Sequence, residues 1–392
     1  MEPGSLLRHP KARNRNRKKA MKTLRLLCLI PAVLLLAPLV AVEQIVPSHK
    51  STQTLVASAE KEASYLAFPA LLDLGGEVLV SFKHGRSHAG DTGAALDFLR
   101  LDAVTGKMNS RHTLAGIDDK IMQMGEWVRF PNGDITSYID AQQKSAPSRI
   151  GLRVVRSRDG AATFGPVERV GAVDGVEYGY AFESITEGKT TWMLAMTFNN
   201  LTPGKSVFAP RPVSGSVDVI RSDDNGTSWH FVRKLTEEFG GIPINESSFA
   251  RHGDGFVFAA RAYDNRQWLL KTDGEFHLKS KVDITSANSF IKSYVGRPRV
   301  FMRDDGWYLL GRNSSGGPMR LCLFRFDPET LAVTKHVVLD NSEGENVSDG
   351  YYAAPYWRER EGRTYLNIIT YKGVAKRGPD IIRLEFEWEE VR

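Results

Sequence analysis

The chain has 392 residues, with 52 Lys and Arg against 46 Asp and Glu, and a formal net charge of +6 at pH 7. The excess sits in residues 1–42, which hold nine Lys or Arg and one acid; without them the charge is −2, which removes the basic footprint a nucleic-acid partner requires. Of two cysteines, Cys28 lies in that segment and Cys322 stands alone beyond it, so a disulfide framework is excluded and the remaining chain, about 350 residues, must hold itself together by its core.

A basic run precedes the apolar stretch LRLLCLIPAVLLLAPLVAV at 24–42, with the small residue Ala41 near its end. This pattern reads as a signal peptide, and the stretch is also long enough for an uncleaved anchor. Met21 opens a conventional Met-Lys start, so residues 1–20 read as a long n-region or an upstream extension. The protein is expected to be exported, periplasmic or secreted, touching a membrane only through this segment if it is kept. Residues 43–60 are mixed and polar and read as a linker or a first edge strand; residues 61–392 read as one domain.

Within that domain the stretch Tyr65–Asp91, YLAFPALLDLGGEVLVSFKHGRSHAGD, gives one strand, a turn at Gly75-Gly76, a second strand and a polar loop. The frame returns at Gln123–Tyr138, Tyr180–Met196, Asn245–Arg261, Arg297–Arg312 and Tyr352–Tyr371. Repeats of several short strands are the sequence form of propeller blades, so an all-β, six-bladed β-propeller is expected. Two octapeptides, SRDGAATF at 157–164 and SDDNGTSW at 222–229, match the Asp-box (BNR repeat) pattern Ser-x-Asp-x-Gly-x-Thr-Trp, with Ala161 where glycine is usual. In such a turn the Asp accepts amide hydrogen bonds, the Gly takes a positive φ and the aromatic packs beneath.

The innermost strand of each blade lines the central channel, so residues at its mouth face one another. Counting back nine from each turn glycine gives Ala67, Met124, Glu246 and Arg297, then Tyr352 if the last loop holds one extra residue; the third repeat is looser, near Gly179 or Tyr180. Glu, Arg and Tyr converging on one axis point to chemistry more than to a structural channel.

These residues resemble the sialidase (neuraminidase) family over essentially all of 61–392. That family leads from Tyr-Arg-Ile-Pro to Phe-Ala-Glu-x-Arg and an Asp five residues on; here Tyr65…Pro69 leads to Phe82-Lys-His-Gly-Arg86 and Asp91. The resemblance implies Asp91 as general acid/base, Arg86, Arg261 and Arg297 as substrate-binding arginines, and Glu246 as partner of a nucleophilic tyrosine. In SDGYYAAPYW that tyrosine is Tyr352 by the following Pro355 and Trp357, or Tyr351 by the preceding Gly350. A neutral tyrosine avoids the repulsion that a carboxylate nucleophile would meet beside the carboxylate of a sialic acid. Ala67 stands where the family has its first arginine, and Lys83, His84 and His88 are candidates to fill the gap.

The implied activity is an exo-glycosidase, acting without metal or cofactor as a monomer on sialoglycoconjugates or another acidic glycan. His84 and His88 at i and i+4 of a loop lack the further ligands a metal site needs. Two other readings stay open: a uronate lyase working through His84, His88 and Tyr352, and a glycan-binding propeller without turnover.

Overall fold

In the computed structural model the described residues are 42, 44–58, 64–145, 148–198, 200–201, 215–304, 306–314, 318–342, 349–374 and 377–392. The leader expected over 1–42 lies outside them, Val42 excepted.

Six small sheets, antiparallel but for one added edge strand, form a six-bladed β-propeller. Blade 1 runs from Tyr65–Asp73 through Glu77–Gly85 and Ala95–Asp102 to Met108–Ala115, and blade 2 begins with Ile121–Arg129 and Ile135–Gln142. The inner strands of blades 3, 4, 5 and 6 are Val176–Glu187, Ile244–His252, Val295–Arg303 and Ala354–Arg360. Each pairs with the strand after its glycine turn, as with Arg303 opposite Gly306 in blade 5.

The ring closes through the segment expected as linker or edge strand. Ser51–Val56 pairs antiparallel with Arg377–Glu387, Ser51 opposite Glu385 and Thr54 opposite Ile382, and so supplies the outer strand of blade 6. Gln44–Ile45 pairs parallel with Val333–Asn341 of blade 5. Both additions cover sheet edges that would otherwise present unpaired backbone.

The core lies between neighbouring blades, where the pleat sends alternate side chains of each sheet inward. Between blades 3 and 4, Phe256 stacks on Phe276 at 4.6 Å, Phe249 on Phe258 at 5.5 Å, and Trp192 meets Phe256 at 5.9 Å. Each such ring contributes about 1.5–3 kcal/mol by burial. The two octapeptides make equivalent turns between the two outer strands of blades 2 and 3. Asp159 accepts from the Thr163 amide at 2.9 Å and Asp224 from that of Ser228 at 2.9 Å, while the Ser157 and Ser222 hydroxyls each accept an amide at 2.8 Å. Gly226 and Ala161 take φ of 73° and 67° at matching places. A methyl group on Gly226 would meet the Phe130 ring at 2.3 Å, whereas Ala161 is tolerated in a buried cluster at a conformational penalty of roughly 1–2 kcal/mol.

His336 is a buried polar residue of a different kind. Its ring stacks on Phe290 at 4.6 Å and Phe324 at 5.1 Å, and among the described residues its Nε2 finds no hydrogen-bond partner. Burial, with the Arg320 guanidinium behind it, pushes the imidazole down from 6.5 to about 4. The unfolded chain therefore binds this proton first: His336 leaves stability untouched above about pH 6.5, removes it as pH falls, and completes the loss near pH 4. His336→Phe is expected to abolish roughly 2–3 kcal/mol of the stability difference between pH 7 and pH 4 in urea unfolding. An unchanged difference would place the acid sensitivity elsewhere.

Candidate active site

At the mouth of the channel the inner strands do not run straight into their loops. Register slips fall between Ala67 and Ala70, Met122 and Met124, Tyr178 and Tyr180, Ile244 and Ser247, and Gly296 and Arg299. Such bulges re-aim a side chain out of the ladder. Three non-glycine residues at these strand entries take positive φ, Phe68 at 58°, Arg297 at 45° and Tyr351 at 63°. Strain of this kind persists only where surrounding contacts over-determine it.

Glu246 is the hub of those contacts. Its Oε1 accepts from the Tyr180 hydroxyl at 2.9 Å, and its Oε2 accepts from Arg261 Nη1 at 2.5 Å, the Tyr352 hydroxyl at 3.1 Å and the Arg297 amide at 3.2 Å. Burial alone would raise the Glu246 carboxyl; the Arg261 and Arg297 guanidiniums and the two tyrosine hydroxyls outweigh it and hold it at about 2. Burial and the Glu246 carboxylate push Tyr352 up to about 12, against the pull of Arg312 and Arg261. Arg261 Nη1 also reaches the Tyr352 oxygen at 3.3 Å, and its guanidinium lies over the Tyr294 ring at 3.8 Å.

Tyr351 and Tyr352 are separated by the backbone turn between them. The Tyr352 hydroxyl enters the Glu246 group; that of Tyr351 donates to Asp340 at 3.0 Å. Arg297 approaches Glu246 only by its amide, while its guanidinium bonds Glu126 at 2.5 Å and the Tyr180 oxygen at 3.3 Å. Glu126 also takes Arg299 at 3.1 Å, and Arg299 reaches Glu183 at 2.7 Å, so an ionic chain links blades 2, 3 and 5 below the mouth.

Arg312 is a mouth residue that the counting frame missed. Its guanidinium lies over the Tyr352 ring at 4.9 Å and bonds Asp349 Oδ1 at 2.8 Å. It follows the Gly306 turn by the same six residues that separate Arg261 from Gly255, a signal present in GFVFAAR and GWYLLGR. Gly296 leaves room for it, since a methyl there would meet Arg312 Nε at 2.8 Å. Asp349 collects further donors: the Tyr371 hydroxyl at 2.8 Å on Oδ1, and on Oδ2 His88 Nδ1 at 2.6 Å and the Tyr65 hydroxyl.

In blade 1 the entry position is filled by Phe68, whose ring meets Tyr352 at 5.5 Å, Tyr371 at 5.4 Å and His88 at 5.1 Å. Ala67 pairs with Lys83 across the ladder. Lys83 is fully buried and donates to Asp91 Oδ1 at 2.7 Å, Gln123 Oε1 at 2.9 Å and the carbonyls of Ser87 and His88 at 2.9 and 3.1 Å. Asp91 Oδ2 accepts from the Arg86 and Ser87 amides at 2.8 and 3.2 Å. Burial would raise Asp91; the Lys83 ammonium and these amides outweigh it and keep the carboxylate below its ordinary range. The Arg86 side chain is exposed. His84 pairs with Asp97 at 3.2 Å, which also holds Arg111, and no described contact joins it to Glu246 or Tyr352. Among the described residues no three His, Cys, Asp or Glu side chains gather as a metal site would require.

No protein-family model matches the chain, and no curated protein matches it in sequence. Solved structures match it in fold. A protein of unknown function from Dyadobacter fermentans superposes with a TM-score of 0.67 at 14% identity over 88% of this chain and 99% of its own. The Hadza microbial sialidase Hz136 gives 0.61 at 10% identity over 87% of this chain and 69% of its own. The fold is sialidase-like. The sialidase of Trypanosoma rangeli in complex with sialic acid gives 0.55 at 9% identity, covering 87% of this chain and 59% of that one. At these identities the sialidase-like propeller is common ground, and the side chains at its mouth carry the functional argument by themselves.

Proposed function

We propose that the chain is an exported exo-glycosidase that removes a terminal sialic acid or a related acidic sugar from glycans, with Tyr352 as nucleophile. One observation carries the reading: the Tyr352 hydroxyl is hydrogen-bonded to Glu246 and flanked by the Arg261 and Arg312 guanidiniums at the channel mouth. As Tyr352 attacks the anomeric carbon its proton passes to Glu246, and the arginines bear the charge of the developing phenolate. Glu246 at about 2 is a feeble base for a phenol at about 12. A substrate carboxylate on Arg261 and Arg312 changes that balance, because it shares the charge that holds Glu246 down. The base then strengthens when an acidic sugar is bound.

The substrate's carboxylate meets Arg261 and Arg312, with Arg297 committed to Glu126 beneath them. Phe68 replaces a cation at the blade 1 entry, and the loss of one charged hydrogen bond lowers affinity by about 1.5–3 kcal/mol. An apolar ring there favours a sugar whose face near blade 1 is uncharged.

Fluorogenic aryl ketosides of sialic acid and of a 3-deoxy-2-keto acid test the reading directly. Release of the aryl group with net retention at the anomeric carbon is expected from at least one. An unsaturated, ultraviolet-absorbing product from a uronate polymer would favour a lyase, and binding without release a lectin-like role.

A further inference from the structure

We propose that His88, oriented by Asp349, is the proton donor and acceptor of this site, and that Lys83 and Asp91 are positioning residues that hold its loop. The proposal rests on the glycosidase reading above. A general acid needs a proton and a free edge facing the leaving group. Asp91 has neither in this state: Lys83 occupies Oδ1, two loop amides occupy Oδ2, and the residue is 7% exposed. The fit leaves no slack, since a methyl on Gly85 would stand 2.1 Å from Asp91 Oδ2.

The outcome of this closed lock is the placement of His88. Its carbonyl is fixed by Lys83 Nζ at 3.1 Å and Gln123 Nε2 at 2.7 Å. Its ring packs edge-on to Phe68 at 5.1 Å, the same ring that meets Tyr352 at 5.5 Å, and its side chain is 59% exposed. Nδ1 meets Asp349 Oδ2 at 2.6 Å, which leaves Nε2 as the exchangeable edge. A carboxylate on one imidazole nitrogen fixes the tautomer and the orientation of the ring. Asp349 is suited to that role, because burial alone would raise its carboxyl, but His88, Arg312 and Tyr65 outweigh this and keep it ionised throughout the physiological range. The charged and titratable groups around the ring are Asp349 and Tyr65 at Nδ1, Arg312 and Tyr371 behind Asp349, and Lys83 and Asp91 under the loop.

The steps balance. In the first, the Tyr352 oxygen bonds to the anomeric carbon, the bond to the leaving oxygen breaks, the His88 Nε2 proton goes to that oxygen, and the Tyr352 proton goes to Glu246. In the second, neutral His88 takes a proton from water, the water oxygen bonds to the anomeric carbon, and Tyr352 departs and recovers its proton from Glu246.

The test compares full-length wild type, His88→Ala and Asp91→Asn on sialyllactose, a poor leaving group, and on the 4-methylumbelliferyl ketoside, a good one. His88→Ala should lose about 10²–10⁴-fold on sialyllactose and roughly tenfold or less on the aryl ketoside. Azide should restore its aryl turnover. Asp91→Asn should fall equally on both, with a lowered melting temperature. A loss in Asp91→Asn that depends on the leaving group, with His88→Ala indifferent, would overturn the proposal. A second arm needs no turnover: a hydrogen-bonded Nδ1 proton of His88 in NMR, lost in Asp349→Asn, with the Asp91 carboxyl signal constant between about pH 5 and 8. An Asp91 carboxyl that titrates in that range overturns the proposal on its own. Cleavage of neither substrate by wild type, with both NMR features present, instead brings down the glycosidase reading and the catalytic role with it.

Discussion

Tyr352→Phe is expected to reduce hydrolysis by roughly 10⁴-fold or more, the scale seen when a nucleophile that acts in concert with its base is removed. The folded state should hardly notice. The substitution deletes one oxygen, and the Arg261 to Glu246 contact at 2.5 Å and the Phe68 and Tyr371 rings at 5.5 and 6.1 Å survive it. Tyr351→Phe provides the contrast: it removes the bond to Asp340, costs about 1 kcal/mol and leaves turnover within a few-fold. Steady-state kinetics and thermal melts of the two variants side by side check this. Equal losses of activity would mean that the turn between the tyrosines matters more than either hydroxyl.

Glu126→Gln is expected to be the most damaging single change to stability in the channel. Glu126 lies between Arg297 at 2.5 Å and Arg299 at 3.1 Å, all three buried, and Arg299 also bonds Glu183. Burial pushes the Glu126 carboxyl up and the two guanidiniums pull it back. Breaking a buried pair by removing one partner costs about 3–5 kcal/mol, because the charge left behind is buried and uncompensated. The melting temperature should fall by on the order of 10 °C. Activity should fall as well at temperatures where the variant is folded, since Arg297 is strained at φ 45° and its amide helps to hold Glu246. A melting temperature within about 2 °C of wild type would show that the channel hydrates when the pair is broken.

The blade count was legible because the turn glycines recur with apolar runs on both sides, and counting back from them reached Glu246, Arg297 and Tyr352, which meet in one hydrogen-bonded group. The same count put Ala67 at the blade 1 entry, while the bulge turns Phe68 toward Tyr352 and leaves Ala67 in the ladder opposite Lys83. A bulge adds one residue, and strand periodicity carries no mark of it. Spacing also could not say that the Tyr351 and Tyr352 hydroxyls part, one to Asp340 and the other to Glu246, because adjacent residues at a positive φ diverge in a way that it does not encode.

Arg312 lay within reach of the repeat frame, at the same distance from its glycine as Arg261. Asp349 did not. Its role depends on His88, 261 residues away across the seam where blade 6 meets blade 1, and on an Arg312 contact from a third blade. Lys83 is by position a candidate to replace a missing arginine, but four acceptors from its own and the neighbouring blade hold it in place of any substrate.

The nucleophile is best tested by trapping it. A 3-fluoro sialosyl fluoride, whose electron-poor ring slows the second step, should leave one sugar covalently attached, and digestion with mass spectrometry should find it on the oxygen of Tyr352, absent from Tyr352→Phe. An adduct on Tyr351 or on a carboxylate, or inhibition that reverses on dialysis with no adduct, would contradict the account.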